Sequence, residues 1–580
     1  MIIEDLEDHL DQRRIAPLHC LLPNHNMYRM LMLQPDGPII GTPDRVGHED
    51  PARGHALARV FLRHAKEQAA EIAVTPEYST PWTILTEISQ SDLRPQLGHV
   101  WVLGCESLPL RQLDATVASL RDAGCIVVHE ELAGAEGFLD TVAYLFWTLD
   151  SDEVCKLTVV LQFKTIASAD DMEHRALACG NLVYRINRNI NSIALTTLIC
   201  SDVFALTEQQ IADFSDTLLI HIQLNPKPAN EDYKRYRDHL ARVTGNRHVH
   251  VVCLNWAGDL LEHKADGSAR RWRNNAGSAL YVPPHKFACG QDLIEDAHRK
   301  GLYYSRVGKW HGYYLHQQPH ILSLQLEKVQ EHNIASVLQR NSLVKVVGRW
   351  TWNAQFDLTQ SLDADSGYAQ LVGANYAAAY AAMRELVGAS PIAAERVLEL
   401  LLGRVTTASW YEVQALRSLE VTSYESLQRS TVHQDHDTDS AGVAFRKATW
   451  QRAQDAITLP GQGVPWPKPI ASAASGFAFS WQKDSPHYNV TLADNGGRAS
   501  LVYLGETSDE EAVKTKYAQL LAATRHWLAA QAANDDAFVK AGDRICIVYR
   551  KDHAFRVWGA GETSQIDNVI GVGPFDITGA

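Results

Sequence analysis

A glutamate, a lysine and a cysteine each stand just after a hydrophobic run, in Thr75-Pro76-Glu77-Tyr78, Leu161-Gln162-Phe163-Lys164 and Leu198-Ile199-Cys200-Ser201-Asp202. Runs of this kind end the strands of α/β sheets, where residues are exposed to a ligand crevice. Together the three side chains can carry out acyl transfer. The carboxylate takes the thiol proton, the thiolate attacks a carbonyl or nitrile carbon, and the ammonium holds the developing oxyanion. A free cysteine has a pKa near ~8.5, so its thiolate stays a minority species until a base or a positive charge is close. The backbone N–H of Ser201, immediately after the nucleophile, is the candidate second oxyanion donor. Attack by Cys200 on an amide would expel an amine or ammonia and leave a thioester for water to hydrolyse, with Glu77 first protonating the leaving amine and then activating the water.

Each residue alone has an ordinary structural reading. Cysteines that end apolar strands are commonly buried hydrophobes, a Pro-Glu pair often opens a helix, and a lysine after a strand is often solvated. The elements around them decide the matter. Gly54 to Ala73 has helical apolar spacing and passes into a short strand ending at Glu77. Thr141 to Leu149 and Leu157 to Phe163 read as a hairpin turning at 150–153, which delivers Lys164. Ile193 to Ile199 is a buried strand delivering Cys200, followed by a strand at Thr217 to Leu224, a helix at Arg235 to Asn246 and a strand at His248 to Leu254.

The order and flanks of these residues resemble the carbon-nitrogen hydrolase (nitrilase/amidase) superfamily, whose members use a Glu-Lys-Cys triad. Glu77, Lys164, Cys200 and Asp202 match the places of that pattern. So do the opening strand Arg29 to Gln34, the Gly-ended strand Val100 to Gly104, Asp140-Thr141 where an Asn-Thr pair is usual, Ala241-Arg242 with Asn246, and Gly277-Ser278 with Pro283. The resemblance covers about residues 25 to 310. It implies a four-layer α-β-β-α sandwich of α/β class, a catalytic triad of Glu77, Lys164 and Cys200, a second glutamate near the substrate with Glu173 as candidate, and pairing of sandwiches into a homodimer or higher homo-oligomer. Departures lie beside the nucleophile and the lysine. Ser201 stands where many relatives carry a large residue, Phe204-Ala205-Leu206 replaces Phe-Pro-Glu, and Gln162-Phe163 replaces a Tyr-Arg pair. The expected substrate is a small-molecule amide or nitrile. N-acyl transfer to an amine on the same scaffold, or a sensing or interaction protein with little turnover, are the alternative readings.

Composition narrows the class. The chain has 580 residues, 46% hydrophobic and 21% charged, with a formal net charge of -14, which argues against nonspecific nucleic-acid or anionic-membrane binding. No run of about eighteen apolar residues occurs, and the acidic start Met1 to Asp8 lacks the plan of a signal peptide, so a cytoplasmic location is expected. The 9 cysteines include no Cys-x-x-Cys pair, and no cofactor or metal is implied. His248 and His250 have no carboxylate or third histidine nearby, His433-Gln-Asp-His-Asp437 sits in a polar stretch that reads as a solvated loop, Gly461-Gln-Gly463 opens no helix, and Asp363 to Gly367 lacks the remaining ligands of a calcium loop. The expected domains are 1–325 for the hydrolase-like part, 326–425 for a helical region, 426–475 for a polar and Pro-rich linker, and 476–580 for a small α+β unit. In that last unit Val490 to Ala493 and Ala499 to Leu504 flank a hairpin signal at 494–497, and Ser508 to Glu511 reads as a capping box opening a helix.

Overall fold

The computed structural model describes residues 1–22, 27–132, 134, 136–169, 171–187, 193–226, 231–243, 249–273, 278–282, 300–307, 310–316, 318–327 and 344–361. Further along it describes 400, 401, 403, 452, 455, 456, 458–466, 477–479, 489–492, 498–530, 538 and 540–559. The helices expected between 367 and 402, apart from their last residues, most of the 426–475 linker, His433 to Asp437, the 494–497 turn, His248, Asn246, Gly277 and Pro283 lie outside the described residues. The chain divides into two compact units, one of Met1–Ala364 with Thr422–Ser426, the other of Asp365–Val421 with Leu427–Ala580.

The first unit is a mixed α/β fold with several sheets and few helices. Its largest sheet has ten strands. In spatial order they are Leu358–Gln360, Val344–Trp352, His320–Glu327, Met27–Gln34, Ile72–Thr80, Val100–Pro109, Phe138–Leu149, Cys155–Phe163 and Ile126–His129, with Arg14–Ile15 against Phe138–Leu149. A second sheet of eight strands runs Ile2–Asp5, Leu182–Ile186, Ala194–Ile199, Thr217–Ile222, Val249–Leu254, Ala279–Val282, Trp310–Leu315 and Leu302–Val307. At the centre of each sheet three strands run parallel, 27–34 beside 72–80 and 100–109 in one, 194–199 beside 217–222 and 249–254 in the other. Ile72–Thr80 and the second trio are buried at every position, as strands covered on both faces must be.

Local sequence explains where the first helix starts and stops. Asp50 caps it, its carboxylate accepting from Ala52 N and Arg53 N, and Pro51 occupies the first turn, where its missing N–H costs nothing. Leu57, Ala58, Phe61, Leu62 and Ala65 form the face that packs into the core with Leu31, Ala73, Trp101 and Leu103. The helix spans Pro51–Glu67 instead of reaching Ala73, because Ala69 adopts a left-handed conformation with φ of 48° that ends it. The hairpin carrying Lys164 pairs Cys155 with Leu149 through Phe163 with Thr141. No helix among the described residues is long and apolar enough to cross a membrane.

The expected boundary at residue 325 falls inside the large sheet. His320–Glu327 pairs along its whole length with Met27–Gln34, and Val344–Trp352 pairs with His320–Glu327 in turn. The first unit therefore continues to Ala364. In the second unit, Phe477–Phe479, Val490–Leu492, Arg498–Glu506, Ile545–Lys551 and Ala554–Gly559 form a five-stranded sheet, accompanied by the helix Glu510–Ala530. That helix is capped by Asp509, which accepts from Glu511 N and Ala512 N, and not by Ser508 as expected.

Ending the chain at residue 325 removes Val344, Val346 and Trp350, all buried. At about 1.5–3 kcal/mol each, that loss approaches the whole stability of a typical domain. A chain ending at residue 325 is expected to aggregate or lack a cooperative thermal transition, whereas one ending at residue 364 keeps both the transition and the circular dichroism of a folded α/β protein.

Candidate active site

Glu77 is positioned by a bulge. Ile72–Thr80 keeps register with Val100–Pro109 through Thr75↔Leu103 and resumes only at Thr80↔Cys105, so residues 76–79 leave the ladder. Pro76 has no N–H to give the ladder, and Tyr78 takes a left-handed conformation with φ of 56°. The bulge presses on the neighbouring strand at Gly104, where a Cβ would lie 2.1 Å from the Pro76 carbonyl oxygen. Only glycine fits there. The Thr75 hydroxyl accepts from Gly104 N and meets the Thr80 hydroxyl at 2.8 Å, closing the bulge at its base.

Cys200 is positioned by an elbow. It follows Ala194–Ile199 directly, has φ of 41°, and opens the short 3₁₀ helix Cys200–Phe204. A non-glycine residue in that conformation needs its surroundings to hold it. The buried Asp202 does so. One of its oxygens accepts from Ile199 N at 3.0 Å, and the other accepts from the N–H and hydroxyl of Thr165, both at 2.8 Å. The elbow is thereby tied to the residue after Lys164. From the adjacent strand, His221 Nε2 donates to the Cys200 carbonyl at 2.8 Å, while its Nδ1 accepts from Gln223 at 2.9 Å. Burial lowers the His221 pKa to about 3, so the ring is neutral in this role.

Lys164 stands where these two devices meet. Its ammonium is fully buried and lies 2.7 Å from Glu77 Oε1, 2.7 Å from Glu173 Oε1 and 3.3 Å from Asp140 Oδ2. Glu77 is further held by Leu224 N, and Glu173 by the Tyr78 hydroxyl at 3.0 Å and Ser168 N at 2.7 Å. Oxygens of the three carboxylates lie within 4.8 Å of one another, close enough to share a cation. The cation among them is the lysine's own. Just before Lys164, Gln162 joins the two large sheets. It accepts from Tyr144 OH at 3.1 Å and Tyr184 N at 2.9 Å and donates to Thr197 O at 2.9 Å.

The electrostatics follow from burial and from this clustering. Burial pushes Glu77 above the usual carboxylate range against the pull of Lys164. Burial also opposes the charge on Glu173, yet the ammonium and the Ser168 donors outweigh it and hold that carboxyl low. For Lys164, burial disfavours the charged form and the carboxylates more than restore it, leaving the lysine well above its ordinary value. Burial, then the charge of Glu77, pushes the Cys200 thiol well up, so the resting site holds a thiol. The Tyr233 hydroxyl, from the helix Glu231–Val243, lies 3.4 Å from Cys200 Sγ.

Glu77, Lys164 and Glu173 are thus brought into direct contact, with Cys200 and the Ser201 backbone on the elbow tied beside them. Glu173 is a buried partner of the lysine and not a surface acid. Asp140, Tyr233 and His221 were not picked out as site residues from the sequence. A histidine inside the otherwise aliphatic Thr217–Ile222 run was the available signal for His221; the signal for Tyr233 was its place, with Tyr236 and Leu240, on the buried face of the next helix. His250 is a buried residue of the Val249–Leu254 strand.

No protein-family model and no curated protein matches the sequence. Among solved structures, the chain is similar to an amidase from Nesterenkonia sp. AN1, at 14% identity over 54% of this chain and 96% of that one, with a TM-score of 0.30. A CN-hydrolase superfamily protein from Xanthomonas campestris matches at 11% identity over 55% and 99%, with a TM-score of 0.29. A glutamine-dependent NAD+ synthetase from Acinetobacter baumannii matches at 12% identity over 56% of this chain, with a TM-score of 0.30. The chain spans 48% of that synthetase's length.

Replacing Lys164 by Met leaves Glu77 and Glu173 buried without their cation, a change that typically costs about 3–5 kcal/mol. Their folded-state pKa values then rise above the unfolded ones, so the folded protein binds more protons than the unfolded one near neutrality. Stability of Lys164→Met should accordingly fall as pH rises and recover toward pH about 5. Urea unfolding of both proteins across that range checks this.

Proposed function

We propose that this protein is a cysteine-dependent hydrolase of non-peptide carbon-nitrogen bonds, acting on a small-molecule amide or nitrile through a thioester on Cys200. The observation that carries the reading is the buried Lys164 ammonium held between Glu77 and Glu173, with the left-handed Cys200 elbow tied to the next residue by Asp202. Such an arrangement has no evident use in a passive scaffold. Burying this many charges is expensive, and a strained nucleophile elbow adds to the cost.

In this mechanism Glu77, whose carboxylate is made more basic by burial, takes the proton from the Cys200 thiol as the sulfur attacks the substrate carbon. The charge moves onto the substrate oxygen or nitrogen, where the Lys164 ammonium and the Ser201 N–H would receive it. Glu77 then gives its proton to the leaving amine and later takes one from the water that cleaves the thioester. Glu173 and Tyr78 keep Lys164 in place while the charge moves. The hydroxyl of Tyr233 faces the sulfur, which suits it to orient the thiol or the incoming carbonyl. In the corresponding four-layer arrangement the two large sheets would be the inner layers, and a homodimer or higher homo-oligomer is the expected assembly.

Incubation with a panel of amides, followed by mass spectrometry, should reveal an acyl adduct on Cys200 that is absent from Cys200→Ala. Glu77→Gln should prevent the adduct without unfolding the protein. Lys164→Met should slow its formation by about 100 to 1,000-fold, the usual effect of removing one oxyanion donor, measured under conditions where that variant is folded. An acyl group that passes to an added amine in preference to water would make the protein an acyltransferase instead.

A further inference from the structure

The buried cluster contains more acid than base. Lys164 brings one positive charge, and Glu77, Asp140 and Glu173 bring three carboxyl groups, all essentially inaccessible to water. The hydrogen bonds set one of the three apart. Both oxygens of Glu77 accept, from Lys164 and Leu224 N, and both oxygens of Glu173 accept, from Lys164 and Tyr78 on one side and Ser168 N on the other. Among the described residues, neither oxygen of Asp140 accepts a hydrogen bond, and the ammonium of Lys164, 3.3 Å from Oδ2, gives its hydrogen bonds to Glu77 and Glu173. An ionised carboxylate fully out of water with nothing donating to it is the least favourable state that this side chain could adopt. A protonated one becomes a donor itself, and the carboxylate of Glu77 is within reach to accept.

We propose that Asp140 is held as the neutral carboxylic acid and donates a hydrogen bond to Glu77, making it a positioning residue for the base. The inference deepens the hydrolase reading and rests on it for the role of Glu77, but the protonation state does not. Every charged group facing Asp140 favours the neutral form except one. Glu77 approaches from the bulged strand and Glu173 from its short helix, and each carboxylate disfavours a further negative charge beside it, while Tyr78 and Cys105, which also face it, are uncharged. Only Lys164 opposes them, and its hydrogen bonds go to Glu77 and Glu173. Burial acts in the same direction as the acids and lifts Asp140 well above the carboxylate range. The consequence for chemistry is a base whose orientation is fixed from two sides, by an ammonium and by an acid. At alkaline pH the Asp140 proton is lost, two adjacent carboxylates repel, and Glu77 is displaced.

Infrared spectroscopy of the full-length protein tests the protonation state without any substrate. At neutral pH, protein labelled with 13C-aspartate should show an isotope-shifted carboxylic-acid C=O stretch that disappears in Asp140→Asn. Absence of that band in the wild-type protein, which needs no variant to fold, or its persistence in Asp140→Asn, overturns the proposal. The positioning role is read from alkylation of Cys200 by iodoacetamide, followed by peptide mass spectrometry. Asp140→Leu should slow it by about tenfold or more, the value of one hydrogen bond to a charged group, whereas Asp140→Asn keeps a donor in place and should restore it and extend it to higher pH. Equal losses in the two variants overturn the role. Failure of Cys200 to acquire an acyl group would overturn the hydrolase reading and leave the infrared result standing.

Discussion

The buried ammonium of Lys164 is the interaction on which the site depends. A cation fully out of water is tolerable only when anions surround it, and anions out of water are tolerable only around a cation. Glu77, Asp140 and Glu173 come from a bulged strand, a hairpin strand and a short helix, and the lysine draws all three to one point. Remove the charge and each carboxyl must find another partner or a proton. The cluster therefore fixes the mutual arrangement of three separate segments as firmly as an apolar core would, and far more specifically.

Two backbone devices bring the reacting groups to that point. The bulge at residues 76–79 swings Glu77 out of the ladder, at the cost of a close approach that only Gly104 permits. The elbow at Cys200 is held by Asp202, and its carbonyl is fixed by His221. Both devices are local departures from regular structure, and both are maintained by groups from neighbouring strands. Gln162 extends the same logic to the sheets, since its one side chain spans both of them two residues before the lysine.

Much of this was readable in the sequence. Strand ends at Lys164 and Cys200 are announced by aliphatic runs that stop abruptly, and the hairpin at 150–153 by its polar turn. The strand was read as ending at Glu77; in the fold it passes through as a bulge and continues to Thr80. Glu173 was suggested by resemblance alone, because its own neighbours, Asp170 to His174, are polar. Asp140, His221 and Tyr233 leave only faint local signals, since what makes them site residues is a contact with residues far away in the chain. The boundary at 325 failed for the same reason. The pairing of His320–Glu327 with Met27–Gln34 leaves no local mark on either segment.

That last pairing has a consequence for how the molecule is made. A strand that neighbours the bulged Glu77 strand finds its other partner almost three hundred positions later, so during synthesis on the ribosome it must wait on the order of tens of seconds with one edge open. During that interval Glu77, Lys164 and Cys200 are all translated, yet the sheet that carries the first of them stays incomplete. Long-range closure of this kind slows folding and leaves an apolar edge available to other chains. Yield in the cell should therefore be governed less by the stability of the finished fold than by how well the nascent chain is shielded until residue 327 emerges.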